Sequence, residues 1–297
     1  MIVITHSNID DIVNEHYKKV KSIINNNRIR QSFLFFKDIY NGDFEFLIKA
    51  RPVELNKMLY KYEKNNYNKA KFIFAKKIIK NHYTKFINKF GSDFINNLEI
   101  TVCPYCNREY IFKFEDTKKQ KARVLATFDH FYDKSRYPFL SLSFYNLIPS
   151  CSICNSKFKT TKDFYEEKHL HPYEDDFNSR AKFHLKIVKP SFYHSTKGIR
   201  IELKENDNED IKTKNTISTF RLNDIYEKHS DIALELIKKQ YMYSDDYLET
   251  LYKQYEGTLF KNFEQLKGII FGNYISDDEV HKRPLAKFTK DILEDLE

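Results

Sequence analysis

The sequence has no tryptophan and little glycine or proline. Its 297 residues include six Gly and seven Pro. Disordered chains and folds built of many short strands use these residues more heavily, so both classes are disfavoured. No apolar run approaches the roughly 18 residues that a membrane span needs. Residues 1–10 also lack the basic start and apolar stretch of a signal peptide. We therefore expect a soluble, cytoplasmic protein with no membrane segment.

Charge is distributed unevenly along the chain, which carries a formal net charge of +8. Residues 1–100 contain 18 Lys and Arg and 10 Asp and Glu. The corresponding counts are 18 and 11 in residues 101–200, and 14 and 21 in residues 201–297. A basic region of this length favours a polyanionic partner such as nucleic acid. Solvated helix faces in a lysine-rich protein would give the same count. The asymmetry therefore points to nucleic acid only in combination with the motifs below.

Hydrophobic periodicity predicts helices through residues 8–90 and again beyond residue 223. The longest of these runs from Asn68 to Phe90, and we expect Gly91 to end it. Pro52 suits the first turn of a helix that continues to Tyr62. Residues 224–255 are expected to form one continuous helix.

Alternating and turn-forming residues predict the remaining elements. Strands are expected at residues 110–114 and 124–131, a helix at 155–167 and a β-hairpin at 181–204. The fold class is therefore α+β. We expect three regions in chain order: a helical, basic region (1–99), a central region (100–175) and an acidic region of a hairpin plus helices (176–297).

All four cysteines form two Cys-x-x-Cys pairs, Cys103 with Cys106 and Cys151 with Cys154. In a reducing compartment such pairs favour metal binding over disulfides. Two pairs supply the four thiolates that tetrahedral zinc prefers, and this leaves no open position, so the zinc would be structural. The alternatives are four unliganded buried cysteines or a redox pair, and the second is disfavoured by the absence of a flanking βαβ pattern. The 44 residues between the pairs exceed the gap of a simple zinc ribbon, so we expect the metal to join the two ends of an inserted unit.

Three polar motifs lie within or beside this insert. They are Asp129-His130, Asn146 before the second cysteine pair, and Cys154-Asn155-x-Lys157. In this order, framed by the cysteine pairs, they resemble the HNH (His-Me finger, ββα-metal) endonuclease family over residues 103–159. The resemblance implies a ββα-metal finger, with the cysteines as its zinc knuckle, between the helical N-terminal and the hairpin-plus-helical C-terminal regions.

The resemblance also assigns roles within the site. His130 is the general base, Asp129 and Asn155 hold one Mg²⁺ or Mn²⁺, and Asn146 orients the base. Lys134, Arg136, Lys157 and Lys159 are placed to contact phosphates. Adjacent strand residues point to opposite faces, so Asp129 and His130 converge on one phosphate only if the strand is bulged, is twisted or ends there.

Each polar residue has an ordinary structural alternative. Asp129 suits a turn cap, Asn146 suits a loop brace, and Asn155 suits the N-cap of the helix that follows. Their joint occurrence between and directly after the two cysteine pairs, in the family order, favours catalysis.

The resemblance implies a metal-dependent endonuclease acting on DNA. It extends to bacterial HNH effectors that work with a separate ATPase in anti-phage defence systems such as Septu, so an ATPase partner is implied, and the acidic last third is one candidate surface for it. Two alternatives stay open. One is an RNA-cleaving HNH toxin, and the other is a non-catalytic zinc module that binds nucleic acid or protein. The module would need the cysteines but not Asp129, His130 or Asn155.

Overall fold

The computed structural model describes residues 2–24, 27–64, 67–116, 121–175, 177–207 and 210–296. They form a mixed α+β protein of many helices and small two-stranded sheets, which confirms the predicted fold class at that level. The chain divides into two compact units. The first unit comprises Val3–Ile100 and Ile111–Asp175, and the second unit comprises Met1–Ile2, Thr101–Tyr110 and Asp176–Glu297.

The first unit begins with a run of helices. These are α1 (Ile9–Ile23), α2 (Asn27–Leu34), α3 (Phe44–Lys49), α4 (Pro52–Glu63) and α5 (Lys69–Leu98). Helix α4 starts at Pro52 as predicted, because proline suits a position whose N–H has no partner within the helix. Among the described residues, no helix is both long enough and apolar enough to cross a membrane.

The prediction that Gly91 ends α5 is wrong. The helix continues to Leu98 and ends where Glu99 adopts a left-handed conformation with φ of 52°. Gly91 is buried, and a Cβ atom built on it would lie 3.1 Å from a ring carbon of Phe128. The glycine therefore allows close packing of the helix against Phe128 instead of terminating the helix.

Two antiparallel strand pairs complete the first unit. Strand β1 (Lys113–Asp116) pairs with β2 (Lys121–Val124), and β3 (Thr127–His130) pairs with β4 (Leu147–Ser150). The predicted strand at 124–131 corresponds to β3, which is shorter at both ends, and Val124 belongs to β2. In the second pair Asp129 lies opposite Ile148, and His130 lies opposite Leu147.

A π-helical segment, Ile153–Lys159, follows β4. The predicted helix at 155–167 is therefore wrong at both ends. The segment stops because Thr160 has φ of 54° and ψ of −112°, which lie outside the helical region. This stop leaves Lys159 as the last residue of the segment, with its side chain buried.

The second unit contains the predicted β-hairpin, formed by β5 (Ala181–Ile187) and β6 (Ile199–Glu205). The helices that follow are α6 (Ile211–Thr219), α7 (Leu222–Tyr226), α8 (Ser230–Met242), α9 (Asp245–Tyr255), α10 (Phe263–Phe271) and α11 (Ala286–Leu296). The single helix expected over 224–255 is wrong. Tyr243 leaves the helical region, and the Ser244 side chain accepts a hydrogen bond from the Tyr247 N–H to begin α9.

Helix α11 is attached to the hairpin by a buried ion pair. The Lys287 ammonium lies 2.7 Å from the Asp291 carboxylate, and both side chains are almost fully buried. The same carboxylate accepts a 3.0 Å hydrogen bond from the Phe183 N–H in β5. Burial of two charges is tolerated here because each has a partner of opposite charge or a hydrogen bond.

Candidate functional site

The four cysteines are buried, form no disulfide, and have sulfur atoms within 4.8 Å of one another. Zinc bound at about 2.3 Å by four thiolates places the sulfurs about 3.8 Å apart, so a cluster within this limit is of a size to hold one ion. In the second pair the Cys154 N–H points at the Cys151 sulfur, at 3.4 Å. Such N–H groups stabilise thiolate ligands, and the donor set fits a metal such as zinc.

The first cysteine pair lies on a tight turn with several backbone hydrogen bonds. The Cys103 N–H donates to the Glu109 carbonyl at 2.9 Å, and the Asn107 N–H donates to the Cys103 carbonyl at 2.8 Å. The Tyr226 hydroxyl donates to the Cys106 carbonyl at 2.6 Å. These bonds fix the backbone of the pair through contacts within the second unit.

Asn107 is a structural residue that the sequence reasoning missed. It is fully buried and adopts a left-handed conformation with φ of 49°, which Asn tolerates better than most residues. Its side chain donates to the Val280 carbonyl at 2.8 Å and accepts from the Lys287 N–H at 3.1 Å. The available signal was an Asn in the turn after Cys106, since Asn tolerates the left-handed backbone of turns.

Asp129 is buried near the end of β3, and its carboxylate is ion-paired with a lysine. The Lys159 ammonium lies 2.8 Å from the Asp129 Oδ1 atom. The same ammonium donates to the main-chain carbonyl of His130. Asp129 and Lys159 are each only 3% exposed. The structure thus places Lys159, expected to contact phosphate, directly on a candidate metal ligand.

His130 is the last residue of β3. The end of the strand at this point is one of the conditions under which Asp129 and His130 can converge on one phosphate. Its Nε2 atom lies 3.1 Å from the Ser141 carbonyl oxygen. A carbonyl only accepts, so Nε2 carries the hydrogen and the Nδ1 atom carries the lone pair. Burial, followed by the positive charges of Lys134 and Lys159, lowers the pKa of His130 well below its usual value. The ring is therefore neutral at neutral pH.

Asn146 is fully buried and braces the loop that follows β3. Its Oδ1 atom accepts from the Tyr132 N–H at 2.8 Å, and its Nδ2 atom donates to the carbonyls of Tyr132 and Leu140 at 3.2 and 3.0 Å. Leu140 immediately precedes Ser141, whose carbonyl binds the His130 ring. The amide therefore holds in place the carbonyl that orients the histidine.

Asn155 is the third residue of the π-helical segment, which is preceded by Ser152, so the N-cap alternative for Asn155 is wrong. Its Nδ2 atom donates to the Thr127 hydroxyl at 3.0 Å. Thr127 and Asp129 are alternate residues of β3 and point to the same face of the sheet. The Asn155 amide and the Asp129 carboxylate thus lie along one face, and their oxygens are the hard ligands that Mg²⁺ and Mn²⁺ prefer.

Helix α5 contributes residues that the sequence reasoning assigned to the core or to solvent. The Tyr83 ring contacts the His130 ring edge-to-face, with centroids 4.7 Å apart. The Lys134 ammonium lies 4.8 Å from the Tyr83 ring centroid. Burial lowers the pKa of Lys134, the negative charge of Asp129 opposes this, and the positive charge of Lys80 adds to it. Tyr83 and Lys134 therefore lie beside the candidate base, and Lys80 lies near Lys134.

The remaining phosphate-contact candidates differ in availability. The Lys157 side chain is exposed on the π-helical segment. Arg136 lies 3.3 Å from the carboxylates of both Glu63 and Glu166 and 3.7 Å from that of Asp163. These three carboxylates neutralise much of its charge. Lys134 and Lys157 are therefore better placed than Arg136 to meet a phosphate.

Comparisons of the chain with protein-family models, with curated proteins and with solved structures find no match. Its function is therefore inferred from the geometry of the site and from the order of its motifs.

Proposed function

We propose that this protein is a metal-dependent HNH endonuclease that hydrolyses phosphodiester bonds in DNA. The observation that carries the proposal is the hydrogen bond from the His130 Nε2 atom to the Ser141 carbonyl, at the end of a strand that also holds Asp129. This bond leaves Nδ1 as a proton acceptor on a neutral imidazole. The order of β3, β4 and the π-helical segment is that of a ββα element, which supports the same assignment.

In the proposed reaction the Nδ1 atom of His130 accepts a proton from the water that attacks phosphorus. Asp129 and Asn155 would hold one Mg²⁺ or Mn²⁺, which when bound stabilises the charge on the phosphate and on the leaving 3′ oxygen. Asn146 keeps the Ser141 carbonyl in place, so the imidazole keeps its orientation and tautomer. Cleavage in this manner leaves a 5′ phosphate, as the resemblance to the family implies.

The charge of the first unit supports a nucleic-acid substrate. This unit contains 29 Lys and Arg against 19 Asp and Glu, whereas the second unit contains 21 against 23. Excess positive charge around a phosphodiester site favours polyanion binding through release of counterions, and binding then weakens as salt rises. Lys134 and Lys157 are the phosphate contacts in this proposal.

The four cysteines are proposed to hold one structural zinc, because four thiolates fill a tetrahedral shell and leave no position for substrate. The proposed biological role is that of the nuclease effector in a bacterial anti-phage system with an ATPase partner. This role rests on the resemblance of the motifs alone.

The test is cleavage of supercoiled plasmid by the purified, zinc-containing protein in Mg²⁺ or Mn²⁺. Loss of a general base typically slows such a reaction by about 10²–10⁴-fold, so His130→Ala should leave the plasmid intact over the same time. His194→Ala, at an exposed histidine of the second unit, is the matched control and should cleave like the wild type.

The same assay with single-stranded and structured RNA separates the alternatives. Cleavage of RNA without cleavage of DNA would favour the RNA-cleaving toxin. The binding module would be favoured by two results together. The wild type and His130→Ala would bind nucleic acid equally, and the wild type would cleave neither polymer, alone or with an added ATPase partner.

A further inference from the structure

We propose that Lys159 is the resident cation of the candidate metal site, and that its ammonium and a divalent ion bind the Asp129 carboxylate in competition. The inference rests on the proposed function, because that function makes Asp129 a metal ligand. It adds a role that the sequence did not indicate, since Lys159 reads there as a surface residue that contacts phosphate.

The contacts of the lysine are those of a bound cation. Its Nζ atom lies 2.8 Å from the Asp129 Oδ1 atom and donates to the carbonyl oxygen of His130. It also lies 4.7 Å from the centroid of the Phe164 ring, within the range of a cation–π contact. Two oxygen atoms and an aromatic face thus surround an ammonium that is shielded from solvent.

Burial explains why a cation is needed at this position. Both side chains of the pair are only 4% exposed. A carboxylate in such surroundings is strongly destabilised unless a partner of opposite charge compensates it. In the absence of a divalent ion, Lys159 supplies this compensation and holds the Asp129 side chain in place.

The same geometry makes simultaneous occupancy unfavourable. A magnesium ion bound to the Asp129 Oδ1 atom would lie about 2.1 Å from it. With the ammonium 2.8 Å from the same oxygen, the two cations would be only a few ångströms apart and would repel each other strongly in a buried environment. Inner-sphere metal binding at that atom therefore requires Lys159 to leave it.

A substrate phosphate offers the displaced ammonium a new acceptor, since lysine is a common ligand of phosphate oxygens. The divalent ion would then bind weakly to the free protein and more tightly together with nucleic acid. In this account Lys159 pairs with Asp129 in the free protein and contacts phosphate in the complex with the metal ion and nucleic acid.

The first experiment measures Mn²⁺ binding to the zinc-loaded full-length chain by electron paramagnetic resonance, without nucleic acid. Lys159→Met removes the charge and keeps the length of the side chain, and it should bind Mn²⁺ at least about tenfold more tightly than the wild type because the repulsion is gone. Lys18→Met, at an exposed lysine of α1 in the same unit, is the matched control and should bind like the wild type. Adding Asp129→Asn to Lys159→Met should abolish the gain.

The second experiment uses the unmodified protein, because Lys159→Met leaves a buried carboxylate uncompensated and is expected to fold less stably. Saturating Mn²⁺ should make the Lys159 amine accessible to an acylating reagent, as followed by mass spectrometry of the peptide that contains it. Asp129→Asn, loaded with the same Mn²⁺ concentration, should show no Mn²⁺-dependent change in acylation.

Unchanged or weaker Mn²⁺ binding by Lys159→Met would overturn the competition. So would Mn²⁺ that binds through Asp129 in the wild type while the Lys159 amine stays protected. Neither readout involves cleavage, so failure here is distinct from failure of the nuclease proposal, which depends on the His130→Ala comparison.

Discussion

The Nε2 atom of His130 donates a hydrogen bond to the carbonyl oxygen of Ser141, eleven residues further along the chain. This contact selects one tautomer of the ring and leaves Nδ1 as the nitrogen able to accept a proton. The Ser141 carbonyl is in turn held by the loop that Asn146 braces. The orientation of the proposed base therefore depends on a main-chain atom and on a buried amide that does not contact the ring.

Replacement of Asn146 by alanine tests this arrangement. The change leaves the Tyr132 N–H and two carbonyls without their partner in a buried loop, and we expect a loss of about 1–3 kcal/mol in the free energy of unfolding. Denaturant titration measures this loss. The kcat of cleavage should fall while KM changes little, because the loop orients the base and does not contact the substrate. Unchanged stability and kcat would show that the brace is unimportant.

Tyr83 of α5 provides a second test, because its ring covers the His130 ring. Tyr83→Phe keeps the edge-to-face contact and should unfold at nearly the wild-type denaturant concentration. Tyr83→Ala removes the ring, and we expect a loss of about 1–3 kcal/mol from lost packing and the lost aromatic pair. The two variants differ only in whether a ring is present, so equal stability of both would contradict a packing role.

The cysteine cluster predicts metal content directly. The purified chain should contain one zinc, and Cys154→Ser should lose it together with stability on the order of several kcal/mol, because structural zinc supplies folding free energy. Elemental analysis and thermal melting measure the two effects. Asp129→Asn is the control, since it alters the other candidate metal site and should retain zinc. Full zinc occupancy in Cys154→Ser would argue against the four-thiolate site.

A buried histidine in the core of the first unit predicts acid sensitivity. Burial lowers the pKa of His16 to about 4, with the Leu142 carbonyl opposing this and Lys19 adding to it. Its ring lies among Phe86, Phe94 and Phe144.

The sign follows from proton uptake. Between about pH 6.5 and pH 4 the unfolded chain binds a proton at His16 that the folded chain does not, so the free energy of unfolding falls as the pH falls, by ~3 kcal/mol from this group. Denaturant titration at several pH values measures the slope. His16→Gln should flatten it, and His194→Gln, at an exposed position, serves as the control. A slope that persists unchanged in His16→Gln would assign the acid sensitivity to other groups.

The sequence was sufficient for features that depend on local residue pattern. Proline chemistry located the start of α4, and alternation of apolar residues located the hairpin of β5 and β6. The two Cys-x-x-Cys pairs indicated a cluster of four thiols, which the structure brings together. The sequence pattern was misleading at Gly91, where close packing against Phe128 and not helix termination explains the glycine. It was also misleading over 155–167, where the backbone of Thr160 ends the helical segment.

The tertiary structure alone decided how the site is assembled. A main-chain carbonyl such as that of Ser141 has no residue-type signature, so no pattern could indicate it as the partner of His130. Lys159 reads as a solvent-exposed cation, and the packing of the π-helical segment against β3 brings it to Asp129. Tyr83 reads as one more aromatic residue of a helix, and its contact with His130 arises because α5 packs on β3. Local chemistry is encoded in residue order, but contacts between distant residues depend on how the elements pack.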